Sequence, residues 1–331
     1  DPTASGNTSV QSSSQHGGAE NVPGPAAQAD TIASGEPAAY APTVVSDGSP
    51  THERWLATAD AEATPSIRRR VVALIAEAAR LDGRSPLRTE DGATTLDGRG
   101  SVYLLRDGTR PGDGRHNRVV GFGIDAGDAR NLEAWRSHYE PHGIPCQVDV
   151  PASAWNGPVE RAFQTAGFEF AGASFTAFTD PRDLPAGEPG PVEVEELCAE
   201  TLDTAFELLV RGGGRRGFEA SVRDERAREL RIGCHRVYVA KLDGIPRAVA
   251  SSTWVNDAVY LAHAFTEPEF RGRGCQSALL SRRIQAAASE GATLVVTDTL
   301  FDGPSRRNVE RAGMRLAFSP GWWVRTLARR S

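Results

Sequence analysis

The most constraining feature of this sequence is a glycine-containing turn between a strand and a helix. The turn, residues 271–276, reads RGRGCQ; a strand-like run over residues 259–266 precedes it, and a helix-like run over residues 277–280 follows. Such a turn leaves several backbone N–H groups unpaired at the start of the helix, all pointing the same way. It therefore predicts a site for a phosphorylated ligand at a helix N-terminus.

Two well-known nucleotide loops do not fit this turn. A Walker loop has Lys and then Ser or Thr after its last glycine, whereas Gly274 is followed by Cys275 and Gln276. A dinucleotide fingerprint needs three spaced glycines and an acidic residue about 20 positions further on; Glu290 is near that spacing, but the third glycine is missing. The sequence therefore predicts neither a P-loop nor a dinucleotide-binding domain.

The turn resembles the acyl-CoA loop of the GNAT N-acetyltransferase superfamily. That loop has Arg or Gln, two further residues, Gly, one residue, and then Gly or Ala. Arg271 and Gly274 match it, Pro268 and Phe270 stand where the family often has proline and an aromatic, and Gln276 departs at the last position. Some bacterial members that carry two tandem modules have the same glutamine in this loop.

A second segment strengthens the resemblance. Residues 304–314 look like the last helix of the family and its closing glycine, and a strand-like stretch over residues 292–297 separates the two motifs in the family's order. The resemblance covers residues 192–331 and implies acetyl-CoA as the acyl donor. The residues expected to bind it are Ala264, Phe265, Thr266, Arg271, Gly272, Arg273, Gly274, Cys275, Gln276, Ser277 and Asn308.

The resemblance implies direct transfer of an acetyl group to a primary amine in a ternary complex. This reaction needs a base for the amine and a donor for the thioester oxyanion. The expected donor is a backbone N–H near Phe265 or Thr266, on a bulged strand. Asp298, at the end of a strand, and Glu267 are the predicted catalytic carboxylates, and His263 is a weaker candidate. Many relatives have a tyrosine acid at the position of Val309, so here water or the departing ammonium would protonate the thiolate.

The pattern of elements predicts an α/β (α+β) protein of GNAT fold, with a mixed central sheet flanked by helices in two tandem modules. Residues 1–62 are rich in Ser, Gly, Ala, Pro and Thr and predict a disordered tail. Residues 63–184 predict a degenerate GNAT-like module, since residues 163–168 echo residues 309–314 but no glycine loop precedes them. Residues 185–191 predict a linker, and residues 192–331 the acetyltransferase module.

Composition limits the remaining possibilities. The net charge of −6 gives no general attraction to nucleic acid or to an anionic membrane, and the four cysteines lack metal-site spacing, so we expect no metal. No apolar run could span a membrane and no secretory signal is evident, which favours a cytoplasmic protein. The bias for Arg over Lys suggests a bacterial source. Trp322 and Trp323 are expected in the core or in a homodimer interface. Two other hypotheses stay open, namely a non-catalytic acyl-CoA-binding or sensing module and an interaction domain.

Overall fold

The computed structural model describes residues 50–58, 63–82, 85, 87, 94–124, 128–184, 191–213 and 220–327. The first half of the described chain contributes four α-helices and five strands. They are α1 (Pro50–Leu56), α2 (Pro65–Asp82), β1 (Thr95–Arg99), β2 (Val102–Arg106), β3 (Arg118–Val120), α3 (Leu132–Tyr139), β4 (Cys146–Pro151), α4 (Gly157–Thr165) and β5 (Glu169–Thr179).

The second half contributes four more α-helices and seven strands to the described structure. They are β6 (Glu193–Leu197), α5 (Asp203–Gly213), α6 (Ala220–Ile232), β7 (His235–Leu242), β8 (Ile245–Val255), β9 (Ala258–Thr266), α7 (Cys275–Ser289), β10 (Leu294–Leu300), α8 (Pro304–Arg311), β11 (Arg315–Phe318) and β12 (Pro320–Arg325). The elements confirm the predicted mixed α/β class.

All of these strands belong to one mixed sheet that runs through both halves. Its order is β1-β2-β3-β4-β12-β5-β10-β9-β8-β7-β6, and β11 pairs with β5 off this path. Only β3–β4 and β9–β10 are parallel pairs. The halves exchange their last strands, because β5 pairs with β10 and β12 inserts between β4 and β5. Backbone hydrogen bonds therefore join the two halves at the centre of the sheet.

Helix α2 shows how local sequence fixes an element that later lines a cavity. Thr64 caps it, since its hydroxyl accepts a hydrogen bond from the Ile67 backbone N–H at 3.3 Å, and Pro65 takes the first helical position, where no N–H is needed. Buried Val71, Val72 and Ile75 recur at helical spacing and pack in the core. The helix is thereby held against the sheet with its C-terminal residue, Asp82, at a fixed place.

The structure differs from the predicted tail at residues 50–58. This segment forms α1, and Trp55 is fully buried, with its indole N–H donating to the Ser319 carbonyl at 2.8 Å. A Cβ at Gly321 would come within 2.7 Å of the Trp55 ring, so only glycine there permits this contact. The composition of this segment did not predict α1, because one buried tryptophan produces no hydrophobic periodicity in the sequence. The rest of the predicted tail, residues 1–49 and 59–62, lies outside the described residues.

Two further expectations concern apolar segments. Trp322 and Trp323 are 6% and 2% exposed in β12, so both side chains lie in the core. Within the described ranges, no helix combines the length and apolar character that crossing a bilayer requires.

Candidate functional site

Strand β9 contains a bulge. Its register with β8 passes from Ser251 opposite Ala262 to Val249 opposite Phe265, so two residues of β9 face one of β8. The first of the two, His263, has a φ of +50°, a left-handed conformation that costs a non-glycine residue on the order of 1 kcal/mol. The bulge that the sequence resemblance implied is therefore present, and it holds a strained histidine.

Strands β9 and β10 separate just before the bulge. Their parallel register runs from the pair Ala258 and Leu294 to the pair Leu261 and Thr297 and ends there. The last residues of β9 then pair with β8 alone, and those of β10 with β5. Residues on both sides of this gap line two separate cavities.

The turn that follows β9 requires glycine for its backbone conformation. Gly272 and Gly274 have φ values of +76° and +85°, and Gly274 is the N-cap of α7. Added Cβ atoms would meet nothing within 4 Å at Gly272 and only the Val192 side chain at 3.7 Å at Gly274. No side chain caps α7, so the N–H groups of its first turn have no partner inside the helix. The turn thus presents donors to an open space.

That open space is a cavity of about 470 Å³, here called the loop groove. It brings together ten of the eleven residues that the sequence associates with the cofactor. They are Ala264, Phe265, Thr266, Arg271, Gly272, Gly274, Cys275, Gln276, Ser277 and Asn308. The exception is Arg273, which is not part of the lining; its guanidinium lies 5.6 Å from the centroid of the Phe270 ring.

Helix α8 supplies lining residues that sequence reasoning missed. Pro304, Ser305 and Arg311 line the loop groove beside Asn308, whose amide oxygen accepts a hydrogen bond from the Arg311 guanidinium. All three lie three or four residues from Asn308, about one turn away on the same helix, and this spacing could have identified them from the sequence. Arg311 adds a positive charge that suits an anionic ligand.

Cys275, at the first position of α7, is 2% exposed, and burial raises the pKa of its thiol. A protonated, buried thiol is a poor nucleophile, so the side chain acts as a small packing group. Cys275 also lines the loop groove, which is compatible with a role as a small packing group.

Glu267 lies outside both cavities. It is 4% exposed, and its carboxylate pairs with Arg247 at 3.1 Å, while the Arg247 guanidinium stacks on Phe270 at 3.9 Å from the ring centroid. The sequence analysis predicted a catalytic carboxylate here, next to the bulge. Its position indicates that it holds the chain ahead of the glycine turn, and gives no support to a catalytic role.

The second cavity, about 280 Å³, is here called the interhalf pocket because both halves of the chain line it. Helix α2, the segment before β3 and strand β5 form one wall, and β8, β9 and β10 form the other. Asp298 lies here, with its carboxylate accepting from the Thr176 hydroxyl at 2.6 Å and from the Tyr260 hydroxyl at 3.1 Å. Burial and Asp298 raise the pKa of Tyr260 well above its usual value, so this hydroxyl stays a donor.

Asp82 and two histidines meet in the interhalf pocket. Oδ1 of Asp82 lies 3.0 Å from Nε2 of His263, and its Oδ2 lies 3.0 Å from Nε2 of His116. Nδ1 of His263 lies 3.0 Å from the Ser251 hydroxyl, and Nδ1 of His116 lies 3.1 Å from Thr94 Oγ1. Sequence reasoning named only His263, because Asp82 and His116 belong to the other half and carry no motif.

Arg283 connects the loop groove and the interhalf pocket. It lies in α7, is 2% exposed, and donates from Nη1 to the carbonyl oxygens of Ser251, at 2.9 Å, and Ala262, at 3.4 Å. Burial lowers the pKa of its guanidinium to about 10. The helix that starts at the glycine turn is therefore tied to the bulge by a buried cation.

No cluster of three or more His, Cys, Asp and Glu side chains in the described part of the chain has an arrangement suited to a metal ion.

Comparison with known proteins identifies the fold. A GCN5-related N-acetyltransferase from Kribbella flavida superposes with a TM-score of 0.53 at 19% identity, over 80% of this chain and 97% of that one. One from Sphaerobacter thermophilus gives 0.48 at 16% identity, over 80% and 93%. A tandem GNAT protein from the clavulanic acid biosynthesis pathway gives 0.45 at 18% identity, over 87% and 99%.

Scores below 0.5 do not establish a common fold, so the assignment rests on the Kribbella protein. This chain has the GNAT fold. No protein-family model matches the sequence, and no curated protein sequence matches it significantly.

Proposed function

We propose that this protein is an acetyl-CoA-dependent N-acetyltransferase that transfers the acetyl group directly to a primary amine. The observation that carries the proposal is the loop groove. There the free end of β9, the glycine turn, the N-terminus of α7 and Asn308 of α8 line a single cavity next to a bulged and separated strand. A GNAT fold and this groove together support the acyl donor, whereas the fold alone would not.

Each part of the groove suits one part of acetyl-CoA. The N-terminus of α7 offers backbone donors and a positive helix dipole for the pyrophosphate, with Arg271 and Arg311 nearby. The backbone of Ala264, Phe265 and Thr266, which β10 leaves unpaired, suits the amides of the pantetheine arm.

In the reaction, the lone pair of a neutral amine forms the new N–C bond, the C–S bond breaks, and the thiolate leaves with its electron pair. Backbone N–H groups near Phe265 or Thr266 would stabilise the oxyanion. The proton lost by the amide nitrogen goes to the thiolate, directly or through water, and gives the CoA thiol. Val309 is 4% exposed in the core, so no side-chain acid occupies this position of α8.

Calorimetric titration with acetyl-CoA tests the proposal, using the wild type and Gly274→Glu. The added carboxylate would repel the pyrophosphate, and the positive φ would strain the turn. Gly143→Glu is the matched control, because Gly143 has a φ of +67° and open space around it in the turn before β4, in the other half of the chain. We expect binding by the wild type and by the control but not by Gly274→Glu. An absence of binding by the wild type would overturn the proposal.

The alternative function is a non-catalytic acyl-CoA-binding or sensing module. The observation that favours it is Val309, which leaves the leaving thiolate without a side-chain acid on α8. Release of CoA thiol in the presence of a panel of primary amines separates the two functions. Binding without thiol release with any amine would favour the sensing module.

The division into two modules, with a linker at residues 185–191 and a degenerate first module at residues 63–184, is also a proposal. Its support is local: α4 and α8 each end at a glycine with positive φ, Gly167 at +73° and Gly313 at +83°, and each is followed by a strand. Both strands then cross to pair with the other half. The proposed modules would thus be related by sequence and joined by strand exchange.

A further inference from the structure

The interhalf pocket contains a carboxylate from the half of the chain that has no glycine turn. Asp82 is the last residue of α2, and its side chain is 13% exposed. The opposite wall carries His263 on the bulge and Asp298 on β10. Neither half alone forms this cavity.

The two imidazoles hold the Asp82 carboxylate in place. Each contacts a different oxygen at 3.0 Å through Nε2, and each has a hydroxyl on its Nδ1 side. Each oxygen can accept more than one hydrogen bond, so Asp82 can bind a further donor from a ligand in the pocket.

The charges that line the described part of the pocket favour a cation. Its two arginines each face a carboxylate of their own: Arg118 lies 2.7 Å from Asp149, and Arg115 lies 3.0 Å from Asp113. Asp82 and Asp298 add two more carboxylates, so four carboxylates and two guanidinium groups lie in or next to this part of the pocket.

The strained backbone of His263 supports a ligand-binding role. The bulge places the histidine at a φ of +50°, and its ring reaches across the pocket to the other half of the chain. Non-glycine residues persist in such conformations where surrounding contacts fix them, and they concentrate at functional sites. Here the contact that fixes the ring is Asp82.

We propose that Asp82 is the ligand for a small protonated amine in the interhalf pocket, and that the first half of the chain thereby sets the specificity of the site for cations. The identification of this amine as the acetyl acceptor rests on the proposed function. The binding of the amine to Asp82 does not depend on that function.

Saturation-transfer NMR with benzylamine and with benzyl alcohol tests the inference on the full chain in the presence of CoA. The two probes share a ring, and only the amine is a cation at neutral pH. We expect benzylamine to bind the wild type and benzyl alcohol to bind at least tenfold more weakly. In Asp82→Asn, which keeps the shape but removes the charge, benzylamine affinity should fall on the order of 10- to 100-fold.

Asp243→Asn is the matched control, since it removes one carboxylate in the exposed β7–β8 turn, where asparagine tolerates the φ of +52°. It should bind benzylamine as the wild type does. Acetyl-CoA affinity, measured by calorimetry on CoA-free protein from the same preparations, checks that Asp82→Asn is folded. Equal binding of benzylamine by Asp82→Asn and wild type, or no binding by the wild type, would overturn the inference. Loss of acetyl-CoA binding with amine binding intact would instead overturn the proposed function.

Discussion

The loop groove and the interhalf pocket lie on either side of the same gap between β9 and β10, yet they are built differently. Ten of the residues around the groove were identified from the sequence, nine of them within residues 264–277. The pocket takes its residues from α2, the segment before β3, and strands of both halves. A contiguous site uses backbone atoms that a local motif positions, whereas the pocket uses side chains that only the folded sheet brings together.

This difference predicts separate responses to change. Substitutions at the groove should affect the acyl donor alone, and substitutions at the pocket the amine alone. The exceptions should be strand β9, which lines both cavities, the exchanged strands, which hold the sheet together, and Arg283, which ties α7 to the bulge.

The largest expected effect follows from separating the halves. A fragment of residues 192–331 would lose the β5 partner of β10 and both partners of β12. We expect it to show no cooperative thermal transition by circular dichroism. Coexpression with residues 50–184 should restore the transition if the exchanged strands are what it lacks. A cooperative transition of the fragment alone would show that the groove folds without the pocket.

His235 should make stability depend on pH. Its ring bonds to Thr253 of the interhalf pocket, and burial lowers its pKa to about 4 from 6.5. As pH falls below 6.5, the unfolded chain binds a proton that the folded chain excludes, so about 3 kcal/mol of stability should be lost by pH 4.

Urea unfolding of the wild type and His235→Gln across this range measures the effect, and the variant should have the shallower slope. Exposed His142→Gln is the control and should keep the wild-type slope. Parallel slopes for wild type and His235→Gln would contradict the assignment.

Arg283 should couple the two cavities. Arg283→Met leaves the Ser251 and Ala262 carbonyl oxygens without their donor, at a cost of about 1 to 3 kcal/mol in the free energy of unfolding. Because the bulge is then less firmly held, both acetyl-CoA and benzylamine should bind more weakly. Arg283→Lys, which keeps a cationic donor, should recover part of the lost affinity for each ligand. A loss confined to one ligand would show that the cavities are independent.

The smallest expected effect is at Arg311. Arg311→Gln removes an exposed positive charge from the groove, so acetyl-CoA affinity should fall roughly two- to fivefold, and less at high salt. Benzylamine binding should stay unchanged. Calorimetry at two salt concentrations measures the effect, and Arg161→Gln, at an exposed arginine of α4 in the other half of the chain, is the control. An equal loss for both ligands would contradict the separation of the two cavities.

Sequence reasoning reached the mixed α/β class and the residues of the groove because both depend on local patterns. It missed α1, whose one buried tryptophan produces no periodicity. It predicted Glu267 as a catalytic carboxylate, and the structure holds that residue in a buried pair with Arg247, outside both cavities. It gave Asp82 no role, because an aspartate at the end of a helix is ordinary until two distant histidines contact it.

By itself, the sequence determined the glycine turn, the helix that starts there and the order of strands around them, since backbone conformation and hydrophobic periodicity act over a few residues. Only the tertiary structure decided that β5 pairs with β10 and that β12 inserts between β4 and β5. It also decided that Arg283 reaches the bulge and that Asp82 lies between His116 and His263. Strand pairing and side-chain contact join residues far apart in the chain, and such contacts form only when the whole sheet has closed around its core.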